Sequence, residues 1–347
     1  MLDQELSLFH DTAPILSITE MQTPLPAAER LWRAENPVEW LNLQQEVYAG
    51  SSSPDYHSST HPNARVPSLS HLFQDMLRDE LEMKNRQLSP LRLKLLLHPL
   101  QSLVCHLGQL LSCFYGMHDS RHSSRPLTTA STLMRLEEVQ SSLQKWYDLC
   151  MLHTKASPDC HLTRGSLVLY HLISLNTVSY FPEVERLSRR EGYNGSSWES
   201  TLRSKRFIYQ PEKAIFHCGQ VLRNISSMPK TGRPPWWAAA IYRATMILWA
   251  DSISRAYSNG GENSDHQNGP VFMINGVTPE DPAIKAYTCN LYGIPALMKR
   301  DGSFTKLENP DEVLTHCLSL LDEGIPTRFS DGIRRKLQTL LRNWKPT

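Results

Sequence analysis

Apolar residues recur along most of the chain at the three- and four-residue intervals of an amphipathic helix, so the pattern predicts helices before anything else. Asn36-Pro37-Val38-Glu39 reads as a helix start, with Asn36 as N-cap, Pro37 in the first turn and Glu39 reaching back to the cap; the helix continues to Tyr48. Residues 50–67 are rich in Ser, His and Pro, carry no apolar repeat and read as a flexible loop. Leu69, Leu72, Phe73, Met76, Leu77 and Leu81 then fall on one helical face. Ser89-Pro90 opens a helix on Leu93, Leu96, Leu97, Leu100, Val104, Leu107, Leu111 and Phe114. Pro99 lies inside it and is expected to kink or divide it, because proline lacks an N–H and clashes with the previous turn. Leu136, Val139, Leu143, Trp146 and Cys150 form the next stripe, with Glu137 and Glu138 near its favourable N-terminal end. Leu167 to Val178 is apolar and reads as helix.

The polar stretch 186–206 reads as a loop, after which Pro211 starts a helix on Ile215, Cys218, Val221, Leu222 and Ile225. Pro234-Pro235 launches a helix that is apolar all round, through Trp236, Trp237, Ile241, Met246, Leu248 and Trp249, and this predicts the middle of a core. A second loop covers 258–269. Asp301-Gly302 sits between two short extended runs, which predicts a β-hairpin over 295–307. Asn309-Pro310 caps a helix on Leu314, Cys317, Leu318 and Leu321, stopped by Gly324. Ser330 is expected to cap the last helix, on Ile333, Leu337, Leu340, Leu341 and Trp344. The predicted fold class is mainly α: a multi-helix, bundle-like domain with one small β-hairpin. Its expected parts are an N-terminal segment 1–49, the loop 50–67, and a helical domain 68–347 with flexible loops near 186–206 and 258–269.

With 347 residues, 40 % of them hydrophobic and 20 % charged, the chain is too apolar for disorder and long enough for one large core or two ordinary ones. Its 36 basic and 35 acidic residues leave a net charge of +1, so no whole-molecule field draws it to nucleic acid or an anionic membrane. Seven scattered cysteines do not make a disulfide scaffold, which points to a reducing, intracellular setting. The acidic start Met1-Leu2-Asp3-Gln4-Glu5 is not expected to act as a signal peptide. The most apolar run, Trp236 to Ala250, is interrupted by Arg243 and Thr245 and falls short of the ~20 residues a bilayer span requires.

Few residues suggest chemistry. Cys150, His153, Cys160 and His161 are the nearest approach to a zinc cluster, but no Cys-x-x-Cys pair accompanies them, and Cys150 on an apolar face reads as a small hydrophobe. Cys105 and Cys113 read as core residues of one helix. His10-Asp11 and His118-Asp119 would need further ordered ligands to make a metal phosphohydrolase, and none follows. No Asp-rich magnesium motif, phosphate loop, nucleophile elbow or dinucleotide fingerprint occurs. The sequence therefore assigns no catalytic, cofactor-binding or metal residue, and an enzyme is not predicted. Basic residues gather in Arg186, Arg189, Arg190, Arg203, Lys205 and Arg206, and again in Arg334, Arg335, Lys336 and Arg342. A solvated face explains them better than a phosphate-binding one, because no aromatic interleaving supports base stacking. Trp32, Trp40, Trp146, Trp236, Trp237, Trp249 and Trp344 read as core anchors.

Longer phrases carry more information. They are Ile18-Thr-Glu-Met-Gln-Thr-Pro-Leu-Pro26 with Leu31-Trp32 and Glu39-Trp40-Leu41, then the run Pro234 to Ala250, Ile274 to Ile284, Gly293 to Ser303 and Arg328 to Trp344. Across these phrases the chain resembles the fungal-specific transcription-factor regulatory domain, or middle homology region, in the version found in regulators with zinc fingers of the two-Cys, two-His type. The resemblance implies an α-helical regulatory domain of a nuclear regulator of RNA polymerase II genes. It also implies partners among other transcriptional regulators or a second copy, and no membrane role. Zinc and DNA would be held by an upstream finger module that this chain lacks, so no cofactor is expected here. Residues 1–49 would continue a helical domain already under way. The matching phrases are structural, and no ligand- or DNA-contacting residue follows from them. Two alternatives stay open at this point: a helical enzyme of unknown reaction, and direct nucleic-acid binding through the two basic groups.

Overall fold

The computed structural model describes residues 1–17, 20–49, 67–83, 88–115, 127–158, 160–189, 207–258 and 269–344. The loop expectations at 50–66, 190–206 and 259–268 lie outside these residues. In chain order the elements are α1 (Leu2–His10), α2 (Glu29–Trp32), α3 (Pro37–Ala49), α4 (Leu69–Leu77), α5 (Glu80–Met83), α6 (Pro90–Tyr115), α7 (Leu127–Ala156) and α8 (His161–Val178). They continue with α9 (Phe181–Arg189), α10 (Pro211–Ser226), α11 (Trp237–Ser258), β1 (Val271–Met273), α12 (Pro282–Asn290), β2 (Ile294–Met298), β3 (Phe304–Lys306), α13 (Pro310–Asp322) and α14 (Arg328–Asn343). The mainly α class therefore holds. Among the described residues no helix is long and apolar enough to cross a membrane.

The chain divides into two compact units, Met1–Ile15 with Gln87–Thr347, and Leu16–Arg86. In the larger unit, α8 and α11 are buried on nearly every face, as all-round apolar helices must be. Helix α10 packs against both; α6 and α7 cover α8, and α13 and α14 cover α11. Helix α6 runs unbroken through Pro99, so the chain is not divided there into two helices. The lost hydrogen bond is offset by packing, because Leu96, Leu97 and Leu100 around it are fully buried and α6 lies against both α7 and α8.

Helix ends follow local chemistry. Asn309 accepts from the backbone N–H groups of Asp311 and Glu312, as its place before Pro310 predicts. The last helix starts earlier than expected. Thr327, not Ser330, is its N-cap, and the two share a reciprocal box in which Ser330 N donates to Thr327 Oγ1 (3.1 Å) and Thr327 N donates to Ser330 Oγ (2.8 Å). Residues 186–189, expected to be loop, are helical instead, since α9 reaches Arg189. Its charged residues pair along the helix, Arg186 with Glu183 at 2.8 Å and Arg189 with Glu185 at 3.3 Å, while Val184 and Leu187 face the core.

The predicted hairpin forms: β2 and β3 are antiparallel, with Ala296 opposite Lys306 and Met298 opposite Phe304. Gly302 at its turn has φ +81°, a conformation glycine supplies without strain. The sequence pattern did not predict β1, which pairs in parallel with β2, Val271 opposite Ile294, so that β1, α12 and β2 make a small crossover unit.

In the smaller unit Ser68 caps α4 by accepting from His71 N at 3.2 Å, and Leu25 N bonds Pro67 O at 3.2 Å. Asn36 accepts from Glu39 N at 2.8 Å, whereas the Glu39 carboxylate takes the N–H of Glu35 rather than that of the cap itself. Two of the expected core tryptophans are not core: Trp32 is 78 % exposed and Trp40 41 %. Trp32 ends a one-turn helix, and Val38 and Leu41 beside Trp40 in sequence are exposed as well, so among the described residues no apolar layer covers this stretch.

Candidate functional site

A cavity of about 510 Å³ lies in the larger unit, walled by α7, α8, α10 and α12. His171 on α8 and His217 on α10 both line it, with Nδ1 atoms 3.0 Å apart. That contact is the hydrogen bond each ring makes among the described residues. Burial, the neighbouring histidine and Arg223 push His171 well below the usual imidazole range. Burial and Lys213 push His217 down to about 3. Both rings are thus neutral at physiological pH. A neutral pair joined Nδ1 to Nδ1 has one fixed arithmetic. One ring donates its Nδ1 proton and keeps a lone pair on Nε2, while the other accepts at Nδ1 and carries its proton on Nε2. The pair therefore offers one acceptor and one donor.

Aromatic rings surround it. Tyr170 stacks on Tyr147 at 5.1 Å and on Trp146 at 5.5 Å, and meets His171 edge-on at 4.8 Å. Phe216 stands edge-on to His171 at 5.9 Å. Burial raises the Tyr147 and Tyr170 phenols, with the Glu280 carboxylate adding to the effect on Tyr147, so both remain hydroxyl donors. Gln140 spans two walls: its Nε2 donates to Thr177 Oγ1 at 3.0 Å and its Oε1 accepts from Lys213 Nζ at 3.3 Å. Asp148 and Glu280 balance Lys213 and Lys285 among the lining side chains.

The α12 wall is positioned from α10 and α11. A Cβ at Gly219 would overlap the Ile274 carbonyl, so only glycine lets the turn after β1 rest on α10. Gln220 Nε2 donates to Val277 O at 3.1 Å in the same turn. Asp281 then caps α12 by accepting from Ala283 N at 2.8 Å. Arg255 on α11 ties it down, bonding buried Asp251 at 2.7 Å and Tyr287 Oη at 3.0 Å. These bonds bring Ile284, Lys285 and Thr288 to the cavity.

The histidine pair makes stability pH-dependent. A histidine whose folded pKa lies below its unfolded value near 6.5 takes up its proton more readily when unfolded, so stability falls as pH drops below 6.5 toward the folded value. Denaturation midpoints measured between pH 7 and 4 are expected to fall less steeply in His217→Phe than in the parent. The difference should be on the order of 1 kcal/mol per pH unit. Parallel curves would refute neutral burial.

The residues singled out by sequence lie elsewhere. Cys150 is fully buried and its thiol is pushed up to about 12 by burial; His153 Nδ1 sits 3.4 Å from Thr163 Oγ1. Among the described residues no group of three or more His, Cys, Asp and Glu side chains is placed to hold a metal ion. Cys105 is half-buried at the edge of α6, not in the core, where its thiol donates to Thr12 O at 3.4 Å. The side chain of Cys113, and the pair His118-Asp119, lie outside the described residues. Asp11 of the other His-Asp pair forms an ion pair with buried Arg243.

Arg186, Arg189, Arg334 and Lys336 of the two basic groups have carboxylate partners, while no ion pair joins Arg335 or Arg342 to a described residue. Glu185 takes Arg189, Lys336 at 3.1 Å and the Tyr242 hydroxyl at 2.8 Å; burial alone would raise its carboxyl, but these partners hold it below the usual carboxylate range. Arg334 pairs with Asp322 at 2.6 Å. Arg190, Arg203, Lys205 and Arg206 lie outside the described residues. Trp146, Trp236, Trp237, Trp249 and Trp344 are buried as expected.

Sequence reasoning missed the cavity. The one signal for it was polar: His171 interrupts the apolar run of α8, and His217 sits beside Ile215 and Cys218 on the buried face of α10.

Along its whole length the chain is similar to fungal proteins named as transcription factors. It is 45 % identical over 359 residues to one from Zymoseptoria tritici, covering 99 % of this chain and 36 % of that protein. It is 42 % identical over 342 residues to Transcription factor 1 of Elsinoe fawcettii, covering 99 % and 35 %. With the transcription factor PfmaH of Pestalotiopsis fici it shares 38 % over 345 residues, again 99 % and 35 %. The chain thus spans about a third of the length of the curated relatives it matches. No protein-family model matches it, and no solved structure matches it.

Proposed function

We propose that this chain is the helical regulatory and interaction region of a fungal transcription factor acting in the nucleus on RNA polymerase II genes. The observation that carries this reading is the similarity over 99 % of the chain to fungal proteins named as transcription factors. In this reading DNA is contacted, and zinc held, by a two-Cys, two-His finger module elsewhere in the full-length regulator. This region packs its helices into a scaffold that binds other regulators or a second copy. Direct nucleic-acid binding fits less well, because Arg186, Arg189, Arg334 and Lys336 are each engaged by a carboxylate and screened from a phosphate backbone. Catalysis has no positive support, and the relatives are named for regulation.

The test is a reporter assay with the chain fused to a heterologous DNA-binding domain in a fungal host. The fusion is expected to change reporter output several-fold, up or down, in at least one growth condition relative to the DNA-binding domain alone. Equal output in all conditions, with the fusion present in the nucleus, would overturn the proposal.

A further inference from the structure

We propose that the cavity between α7, α8, α10 and α12 is a binding site for an uncharged aromatic molecule carrying a hydroxyl group, held by the His171–His217 pair and the rings beside it. Its volume of about 510 Å³ suits a small organic ligand and falls within the usual range for such sites, roughly 300–1,000 Å³. Tyr147, Tyr170 and Phe216 line the cavity and give it aromatic wall for a ring to pack against. The outer nitrogens of the paired imidazoles, one a donor and one an acceptor, point away from the shared Nδ1 contact, and a hydroxyl, itself both donor and acceptor, can bond whichever of them it meets.

Charge sets the class. The lining carries Asp148 and Glu280 against Lys213 and Lys285, so no net field favours either sign. Neutral imidazoles do not compensate a buried carboxylate, and with the two lysines offset by two acids an anion would lose its hydration for no net counter-charge. Lys213 spends one of its three N–H donors on Gln140 Oε1 at 3.3 Å. A purely apolar ring would stack but would leave the histidine pair unsatisfied.

The ligand site goes beyond the transcriptional reading, and binding to the purified chain is measured without any reporter, so either proposal can fail alone. Isothermal titration of the full chain with 4-phenylphenol, biphenyl and biphenyl-4-carboxylate separates the classes. 4-Phenylphenol is expected to bind saturably, one per chain, at sub-millimolar concentration. The other two should bind at least about tenfold more weakly, the apolar one for want of a hydrogen bond and the anion for its desolvation.

Ser174→Phe fills the cavity from α8, and Thr288→Trp fills it from α12. Each is expected to abolish binding with its thermal transition retained; should one fail to fold, the other decides. Absence of 4-phenylphenol binding in the parent, equal binding of the carboxylate or of biphenyl, or undiminished binding in a folded filled variant would overturn the site.

Discussion

Trp146→Ala is expected to lower the unfolding free energy by about 3–5 kcal/mol, the range for removing a large aromatic from a packed core. Trp146 is completely buried on α7, at the junction with α6 and α8. Its ring stacks on Tyr170 at 5.5 Å, and its Nε1 donates to Leu93 O on α6 at 2.8 Å. Truncation therefore leaves a cavity and removes the second hydrogen bond that the Leu93 carbonyl accepts beside its helical one, and the surrounding helices relax only in part. Trp146→Phe keeps most of the ring and loses the hydrogen bond, for an expected loss of about 1–3 kcal/mol. Urea denaturation followed by near-ultraviolet circular dichroism reads both. A loss below about 1 kcal/mol for the alanine variant would mean that α6, α7 and α8 do not share this core.

Asp11→Asn should cost about 3 kcal/mol, at the lower edge of what breaking a buried ion pair costs, because Asp11 keeps some solvent contact. Arg243 is almost fully buried on an otherwise apolar helix, where its guanidinium lies 4.2 Å from the centre of the Phe181 ring and bonds Asn176 Oδ1 at 3.1 Å. Its carboxylate partner is Asp11, the C-cap of α1. Neutralising Asp11 leaves a buried cation short of a counter-charge, whereas replacing both partners removes the problem. Asp11→Asn combined with Arg243→Met is therefore expected to recover most of the loss, and the same denaturation experiment measures it. Strictly additive losses in the double variant would contradict the pairing.

Arg243 also shows where a linear pattern stops. In the run from Trp236 to Ala250 it reads as an interruption of an apolar helix. The run does become the central helix α11, because an apolar surface on every side has to be covered wherever the chain goes. What satisfies the arginine comes from α1 and α8, remote in sequence. Helix α1 itself is obscured for a related reason. Its buried face is partly polar, with Gln4 and Ser7 facing Gln101, so the apolar period is broken although the helix is docked. The C-terminal part of α9 reads as loop from sequence because its Arg and Glu residues look solvated until their pairing along the helix is seen.

Local signals were legible where the physics is local. Asn309 before Pro310 fixed a helix start, and Asp301-Gly302 fixed a hairpin. Both depend on backbone conformations and hydrogen bonds spanning a few residues. The strand β1 was not legible, since three residues carry no measurable alternation and its partner β2 lies beyond α12.

By itself the sequence determined a mainly α chain, the places where several helices begin, one hairpin and a likeness to fungal regulators. Periodicity, capping and turn chemistry are properties of neighbouring residues, and they survive in a linear reading. Only the tertiary structure decided that His171 and His217 meet at 3.0 Å, that Gly219 lets a turn rest on α10, and that a cavity remains between them and α12. Such a site exists because helices distant in sequence pack together. Side-chain volume and unpaired hydrogen-bonding groups leave no period along the chain.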